Sequence, residues 1–139
     1  MIYCAFIGSF KEKRFQQLAT EYHRRLERLW PVTLLELPEN PKGIAKFIEN
    51  KKGRVVLVSL DAHGESMDSS DFIKWVTQSS RDLCFFAWGA DGPPKELQKS
   101  GMKSLSLSPM TFSHELARVL LMEQLYRAGA TLKGHPYPH

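Results

Sequence analysis

Cysteine is scarce in this chain, with only Cys4 and Cys84 among 139 residues. Two cysteines cannot build the dense disulfide framework that holds small secreted domains together. Both lie in apolar runs that are typical of strands, where a free thiol usually behaves as a small buried hydrophobe. We therefore expect no disulfide and a protein of the reducing cytoplasm.

Long hydrophobic runs are absent as well. The apolar stretch at 1–8 is too short for a signal sequence or a membrane span, and no basic leader precedes it. Because nothing in the sequence indicates targeting to a membrane, we expect a cytoplasmic protein without a membrane partner.

Several signatures of catalysis and ligand binding are missing. The histidines and cysteines never form a close pair with the intervals usual for zinc, which predicts no metal site. No Gly-x-Ser-x-Gly segment supports a serine hydrolase, and no loop matches a Walker or dinucleotide fingerprint. The histidines are His23, His63, His114, His135 and His139.

The chain does hold enough apolar residues for a core. Its hydrophobic content of 42% and its length predict one domain spanning 1–139. The formal net charge is +4, and the first 30 residues contain six Lys or Arg against three Glu. These cations form either a patch that attracts phosphate backbones or only a solvated helix face. They are Lys11, Lys13, Arg14, Arg24, Arg25 and Arg28.

Alternating strands and helices predict a mostly parallel α/β sheet. Apolar runs of strand length lie at 2–7, 32–37, 54–60, 83–87 and 104–107. Apolar residues at three and four residue steps predict a first helix over 11–29. Asn40 and Pro41 predict the start of a second helix, Asp68 or Ser69 caps a third, and the prolines at 93–94 open a brief fourth.

The last predicted helix, 113–128, is apolar on more than one face. Such a helix either packs against a partner subunit or lies centrally within one core. We favour the partner, because little of so small a chain remains to cover a second face.

Loops that follow strands are the expected ligand site, because parallel α/β sheets bind ligands outside the carboxyl ends of their strands. The relevant loops span 59–64, 88–92 and 108–111. Gly64, Gly89 and Gly92 either let the backbone approach a ligand or are simple turn residues. His114, at the start of the last helix, is either a base or RNA contact, or a capping and packing residue.

The last third of the chain carries a specific resemblance. The segments LSLSPMTFSH at 105–114, RV at 118–119 and EQLYRA at 123–128 resemble the signature of the large-subunit ribosomal RNA methyltransferase H family, which belongs to the SPOUT class. The similarity extends upstream to Gly8, to Glu21-Tyr22 with Arg25, to Leu60-Asp61 with Gly64, and to Gly89 with Gly92.

The resemblance implies a reaction, a cofactor and an assembly. It implies methylation of N3 of a pseudouridine in large-subunit ribosomal RNA of the assembled 70S ribosome, with S-adenosylmethionine as methyl donor. It also implies a SPOUT-type sheet with a C-terminal trefoil knot, and a homodimer with the C-terminal helices at its interface. The rival is a catalytically silent RNA-binding or ribosome-binding paralogue of the same fold.

The resemblance also assigns site residues. Those implied to bind the cofactor, mostly through backbone groups, are Leu60, Gly89, Ser108, Pro109, Met110, Thr111, Phe112 and Ser113. Those implied to assist catalysis near the C-terminus are Tyr137, His135 and His139. Candidate contacts with RNA are Arg118, Arg24, Arg25 and His114.

Two positions depart from the family pattern. The family's Gly-Gly-Pro-Glu-Gly loop is WGADG at 88–92 here, so that Trp88 stands where the smallest residue is expected. Its indole either fills part of the pocket or points outward. The family's terminal Tyr-His followed by a basic residue is YPH at 137–139, with Pro138 inserted before His139.

Overall fold

A parallel five-stranded sheet organises the molecule, with strand order β2-β1-β4-β3-β5. The computed structural model describes residues 1–95 and 101–137. Its strands are β1 (Ile2–Ile7), β2 (Val32–Leu37), β3 (Val55–Ser66), β4 (Asp82–Ala87) and β5 (Lys103–Ser106). Its helices are α1 (Lys13–Glu27), α2 (Pro41–Lys51), α3 (Ser69–Gln78) and α4 (His114–Leu132).

Both faces of the sheet are covered, as the nearly continuous apolar strands predict. Helices α1, α3 and α4 contribute to one core cluster, and α2 contributes to the other through Ile44 and Ile48. In β4 every residue from Leu83 to Ala87 is buried, since this strand lies in the middle of the sheet. The predicted parallel α/β fold is confirmed.

Side-chain caps set the starts of three helices. The carboxamide of Asn40 accepts hydrogen bonds from the amides of Lys42 and Gly43, and Asp68 accepts from Asp71 at 2.7 Å. Ser113 accepts from the amide of Leu116 at 3.3 Å. These contacts confirm the predicted caps Asn40 and Asp68. The brief helix predicted after the prolines at 93–94 falls largely on 96–100, outside the described residues.

The cysteines are free and buried, and they lie on opposite faces of the sheet. Tyr3, not Cys4, is the β1 residue in register with Cys84 on β4. Cys4 therefore packs in one core cluster and Cys84 in the other. Because neighbouring positions on a strand point to opposite faces, the two thiols cannot approach to form a disulfide.

Helix α4 corrects the argument for a partner subunit. It lies against both α1 and α3 of its own chain, and residues such as Leu121, Met122 and Leu125 are fully buried there. Gly129 of α4 lets α1 pack closely against this helix, since an added Cβ would lie 2.9 Å from Leu26 Cδ1. Contacts within the chain thus account for much of the two-sided apolar pattern. The homodimer and the trefoil knot stay predictions.

Strand β3 continues six residues beyond its predicted end. Its register against β5 shifts between Leu60 and Glu65, so that the intervening residues form a bulge. Gly64 is required where the chain returns to β5, because an added Cβ would lie only 2.7 Å from the carbonyl carbon of Ser104. The glycine permits close approach of two backbones, one of the roles glycine commonly has.

No helix in the described part of the chain is long and apolar enough to cross a membrane.

Candidate active site

A cleft of about 780 Å³ opens at the carboxyl ends of β3, β4 and β5. The three loops singled out in the sequence meet there: most of 59–64 and 88–92, and the segment leading into α4. The volume lies within the range of roughly 300–1,000 Å³ that is usual for small-molecule sites. The cleft is therefore large enough to hold a small-molecule ligand.

Most of the predicted cofactor residues line this cleft. They are Leu60, Gly89, Ser108, Met110, Thr111, Phe112 and Ser113. Pro109 is the exception and is exposed outside the lining. Met110 is 73% exposed, so it borders the mouth of the cleft. The contact of these residues with a cofactor stays a prediction.

Serine side chains shape the loop between β5 and α4. Ser106, which is buried, donates its hydroxyl to the carbonyl of Ser108 at 2.7 Å, and the Ser108 hydroxyl accepts from the amide of Met110 at 3.0 Å. Ser113 caps α4. Because these hydroxyls hold the loop itself, recognition of a ligand falls mainly to backbone groups and apolar side chains.

Trp88 forms part of the cleft wall and does not point outward. Its side chain is buried, and the ring stacks on Phe86 with centroids 5.3 Å apart and planes 13° apart. The indole nitrogen donates a hydrogen bond to the hydroxyl of Ser59, 2.6 Å away. Both Trp88 and Ser59 line the cleft. Of the two alternatives for Trp88, the outward orientation is excluded by its burial in the core, and its filling of part of the pocket stays a prediction.

The side chain of Glu39 lies next to Gly89, which the sequence did not indicate. A Cβ at this position would lie 2.7 Å from Oε1 of Glu39, and a Cβ on Gly8 would lie 2.5 Å from the same oxygen. The two glycines therefore make room for the Glu39 carboxylate at the ends of β1 and β4. A side chain at position 89 would meet Glu39 first.

Further lining residues were not assigned as site residues, and most of them belong to strands or to α4. They include Ser59, Met102, Ser104, Leu105 and Ala117. In the sequence, a polar residue such as Ser59 at the end of an otherwise apolar strand is the signal that marks a lining position, and the structure has this serine buried.

Arg118 is buried and does not face a nucleic acid. Its guanidinium donates to the backbone carbonyls of Ile7 and Gly8 at the end of β1, and it lies over the rings of Phe6 and Phe10. Burial lowers the pKa of Arg118, while nearby carboxylates, Glu115 first among them, oppose that shift. With no exposed surface, this side chain cannot contact RNA in this fold, and the predicted role is corrected.

Glu115 joins the same tie between α4 and the end of β1. Its carboxylate accepts hydrogen bonds from the amides of Lys11 at 2.9 Å and Glu12 at 3.0 Å. These amides precede α1, which has no cap from its own N-cap side chain. Glu115 thus satisfies two backbone amides just before α1, and the start of α4, which borders the cleft, is anchored to the β1–α1 loop.

The other predicted RNA contacts are accessible. Arg24 and Arg25 are exposed on α1, and both pair with Glu21, at 2.8 and 2.9 Å. His114 is half-buried, lines the cleft and lies 3.9 Å from a carboxylate oxygen of Glu115. Their role toward RNA stays a prediction.

The described part of the C-terminal tail lies along α4, away from the cleft of its own chain. The Tyr137 ring packs on Tyr126 at 4.9 Å, and its hydroxyl lies 3.4 Å from Oε1 of Glu123. Glu123 is six residues beyond the cleft residue Ala117, about 9 Å along the helix. His135 is exposed, and His139 is outside the described residues. The structure therefore does not bring Tyr137 or His135 to this cleft.

Tyr137 is also held in its neutral form. Burial raises its pKa, and the hydrogen bond with Tyr22 and the neighbouring Glu123 carboxylate raise it further. A phenol in this environment is a poor proton acceptor near neutral pH.

The described residues contain no group of three or more His, Cys, Asp or Glu that could hold a metal ion.

A family model described as predicted SPOUT methyltransferase matches residues 1–139. The chain belongs to this family. It is also similar to curated proteins named ribosomal RNA large subunit methyltransferase H. The protein from Koribacter versatilis is 38% identical over 138 residues, covering 95% of this chain and 93% of that protein. The protein from Nitratidesulfovibrio vulgaris is 36% identical over 147 residues, covering 96% and 94%. The predicted family is confirmed.

Solved structures show the same fold at low sequence identity. A probable methylase family protein from Haemophilus influenzae aligns with a TM-score of 0.64 and 12% identity, over 99% of this chain and 72% of that one. The SpoU methyltransferase AviRb from Streptomyces viridochromogenes, solved with the cofactor AdoMet, aligns with a TM-score of 0.56 and 12% identity, over 90% and 56%. These likenesses support the SPOUT-type fold.

Proposed function

We propose that this chain is an S-adenosylmethionine-dependent methyltransferase of large-subunit ribosomal RNA, and that its acceptor is N3 of a pseudouridine in the assembled 70S ribosome. The observation that carries the proposal is the convergence of the three strand-end loops in one cleft of about 780 Å³. Family membership and the names of the relatives support the methyl transfer to ribosomal RNA. The acceptor atom and the 70S context rest on the resemblance described in the sequence. A ribosomal substrate also implies a cytoplasmic protein.

The cleft suits this cofactor in shape and chemistry. Its wall contains Trp88, Leu60 and Leu105, which can cover the apolar faces of a purine nucleoside. The backbone of the β5–α4 loop can recognise purine edges without long side chains. Asp61 and His63, less buried than Trp88, supply polar groups for the amino acid end.

The bound sulfonium supplies a methyl group that is already activated for transfer. The protein's task is alignment with the acceptor and exclusion of water. The serine-shaped loop at 106–113 and the anchored start of α4 fix one side of the cleft, while Trp88 closes another. Transfer to N3 also requires loss of the N3 proton, which a nearby base accelerates.

The tail residues Tyr137, His135 and His139 remain our candidates for assisting catalysis. Because Tyr137 lies along α4 of its own chain, these residues would act at the cleft of a second copy in the proposed homodimer. Arg24, Arg25 and His114 are the proposed RNA contacts.

Calorimetry with S-adenosylmethionine tests the cofactor first. We expect wild-type binding and strongly reduced binding for Ala117→Phe, because this substitution places a ring in the cleft lining. Thr131→Phe is the matched control, since Thr131 is exposed on the same helix and does not line the cleft. No wild-type binding at millimolar cofactor would favour the silent paralogue.

The substrate is tested with labelled methyl transfer. We expect 70S ribosomes that lack the modification to accept the label, with incorporation mapping to N3 of one pseudouridine. Ribosomes that already carry the modification are the control. Labelling of free RNA but not of ribosomes would contradict the assembled substrate.

A further inference from the structure

Trp88 is fixed in place from two directions. Phe86 covers one face of the indole, at a centroid distance of 5.3 Å, and Ser59 accepts the hydrogen bond of the ring nitrogen. Trp88 is only 5% exposed, and it is one of the residues that line the cleft. A side chain locked by stacking and a hydrogen bond cannot swing aside at low cost. The position of this wall is therefore set by the fold.

The wall at Trp88 is apolar toward a ligand. The only polar atom of the indole is its N–H, which is already bonded to Ser59. Leu105, which is also buried, adds a second apolar side chain. The titratable side chains of the lining are more accessible than the indole, since Asp61 and His114 are half-buried and His63 is exposed.

This division of polarity orients an amphipathic ligand. A charged carboxylate placed against Trp88 would lose its hydration without gaining a partner, which is costly. A planar heterocycle placed there loses little and gains contact with an aromatic ring. The nucleobase end of the cofactor thus belongs at Trp88, and its amino acid end belongs near the polar side chains.

We propose that Trp88 is a specificity-determining residue that limits the size of the nucleobase end of the ligand. The inference rests on the proposed function, because it assumes that S-adenosylmethionine occupies this cleft.

Replacing Trp88 by glycine removes the indole and leaves a space that joins the cleft. Such a space admits substituents that the native wall excludes. The affinity of the variant therefore increases only for ligands that carry an added group on the purine ring. Ligands enlarged at the amino acid end bind no better, because that end lies elsewhere.

Calorimetry measures the affinity of wild type and Trp88→Gly for S-adenosylhomocysteine and for its derivatives with a benzyl group at C2, N6 or C8. We expect wild type to prefer the parent compound over all three by roughly 100-fold, and the variant to reduce that preference to about 10-fold or less for at least one of them. An ester at the amino acid carboxylate is the control ligand, and its relative affinity stays the same in both proteins.

Two further variants separate the size limit from loss of stability. Trp75→Ala removes another tryptophan, which packs on Phe85 and does not line the cleft, and it retains the wild-type preference. Trp88→Leu keeps an apolar side chain against Phe86 and opens a smaller space. We expect it to reduce the preference for the parent compound over a derivative with a methyl substituent at the same ring position. If Trp88→Gly does not fold, Trp88→Leu tests whether residue 88 limits the size of the nucleobase end.

The outcomes are distinguishable. If wild type binds neither S-adenosylmethionine nor S-adenosylhomocysteine, the proposed function fails. If wild type binds them and both Trp88 variants keep the wild-type preference on the purine ring, the cofactor site stands and the inference about Trp88 is overturned. A gain for the ester in place of the purine derivatives overturns the proposed orientation.

Discussion

Arg118 on α4 donates a hydrogen bond to the backbone carbonyl of Gly8, 2.9 Å away across 110 residues of sequence. The same guanidinium bonds the carbonyl of Ile7, so the last helix is tied to the end of the first strand. Because the start of α4 also borders the cleft, this tie joins the stability of the fold to the shape of the site.

Loss of this tie should destabilise the protein. We expect Arg118→Ala to reduce the free energy of unfolding by about 3 kcal/mol, since one buried and one partly buried carbonyl lose a charged donor. Urea denaturation measures the change. Arg118→Lys retains one donor group, so its free energy of unfolding lies between those of wild type and Arg118→Ala. Arg28→Ala, on the exposed end of α1, changes the free energy of unfolding little. Unchanged stability of Arg118→Ala would show that the tie between α4 and β1 does not stabilise the fold.

Gly64 should tolerate no side chain. In Gly64→Ala the new Cβ meets backbone atoms of Ser104 and Leu105 at 2.7–2.9 Å, so β5 must move. We expect a loss of about 2 kcal/mol in stability, typical of overpacking, together with weaker binding of S-adenosylmethionine, because the adjacent bulge lines the cleft. Denaturation and calorimetry measure the two effects.

Gly43→Ala is the matched control for that substitution. Its nearest neighbour would be 3.8 Å from the added Cβ, and the position lies in α2. Alanine is the better helix former, so stability rises by up to about 1 kcal/mol. Equal effects at positions 43 and 64 would show that close approach to β5 is not the reason for Gly64.

The strands could be predicted from sequence because buried parallel strands consist of short, continuous apolar runs. The predicted bounds of β1 and β2 agree with the structure, and β4 differs by one residue at its start. The extension of β3 to Ser66 was missed, since its residues are polar and are held by pairing with β5. No local pattern records a partner strand about 40 residues away.

The site was predictable as a set of loops and not as a set of side-chain roles. Strand order and the family motif bring the loops to one sheet edge, and the structure has them there. Arg118 was misassigned because a sequence does not distinguish a buried cation bonded to backbone carbonyls from an exposed one. The same limit applied to α4, whose apolar residues pack largely against α1 and α3 of its own chain.

Docking of the tail on α4 should make stability sensitive to alkaline pH. Burial raises the pKa of Tyr137 above its unfolded value, so the stability linked to its neutral form is complete below the unfolded pKa, near 10, and is lost as pH rises through the folded pKa. We expect wild type to lose stability above pH 10 more steeply than Tyr137→Phe. Denaturation at pH 8 and above pH 10 measures the difference, and Tyr3→Phe is the control. Equal slopes for wild type and Tyr137→Phe would contradict tail docking.

The exposed arginines of α1 should contribute electrostatic attraction to RNA. We expect Arg24→Ala with Arg25→Ala to weaken binding to ribosomal RNA and to reduce the slope of log affinity against log salt by about two, since each phosphate contact contributes roughly one. If the ion pairs of Arg24 and Arg25 with Glu21 persist in the complex, the decrease in affinity and in slope is smaller. Lys42→Ala with Lys46→Ala removes the same charge from α2, on the opposite face of the sheet, and leaves the slope unchanged. Equal slopes for both double variants would show that α1 carries no special contact and that only net charge matters.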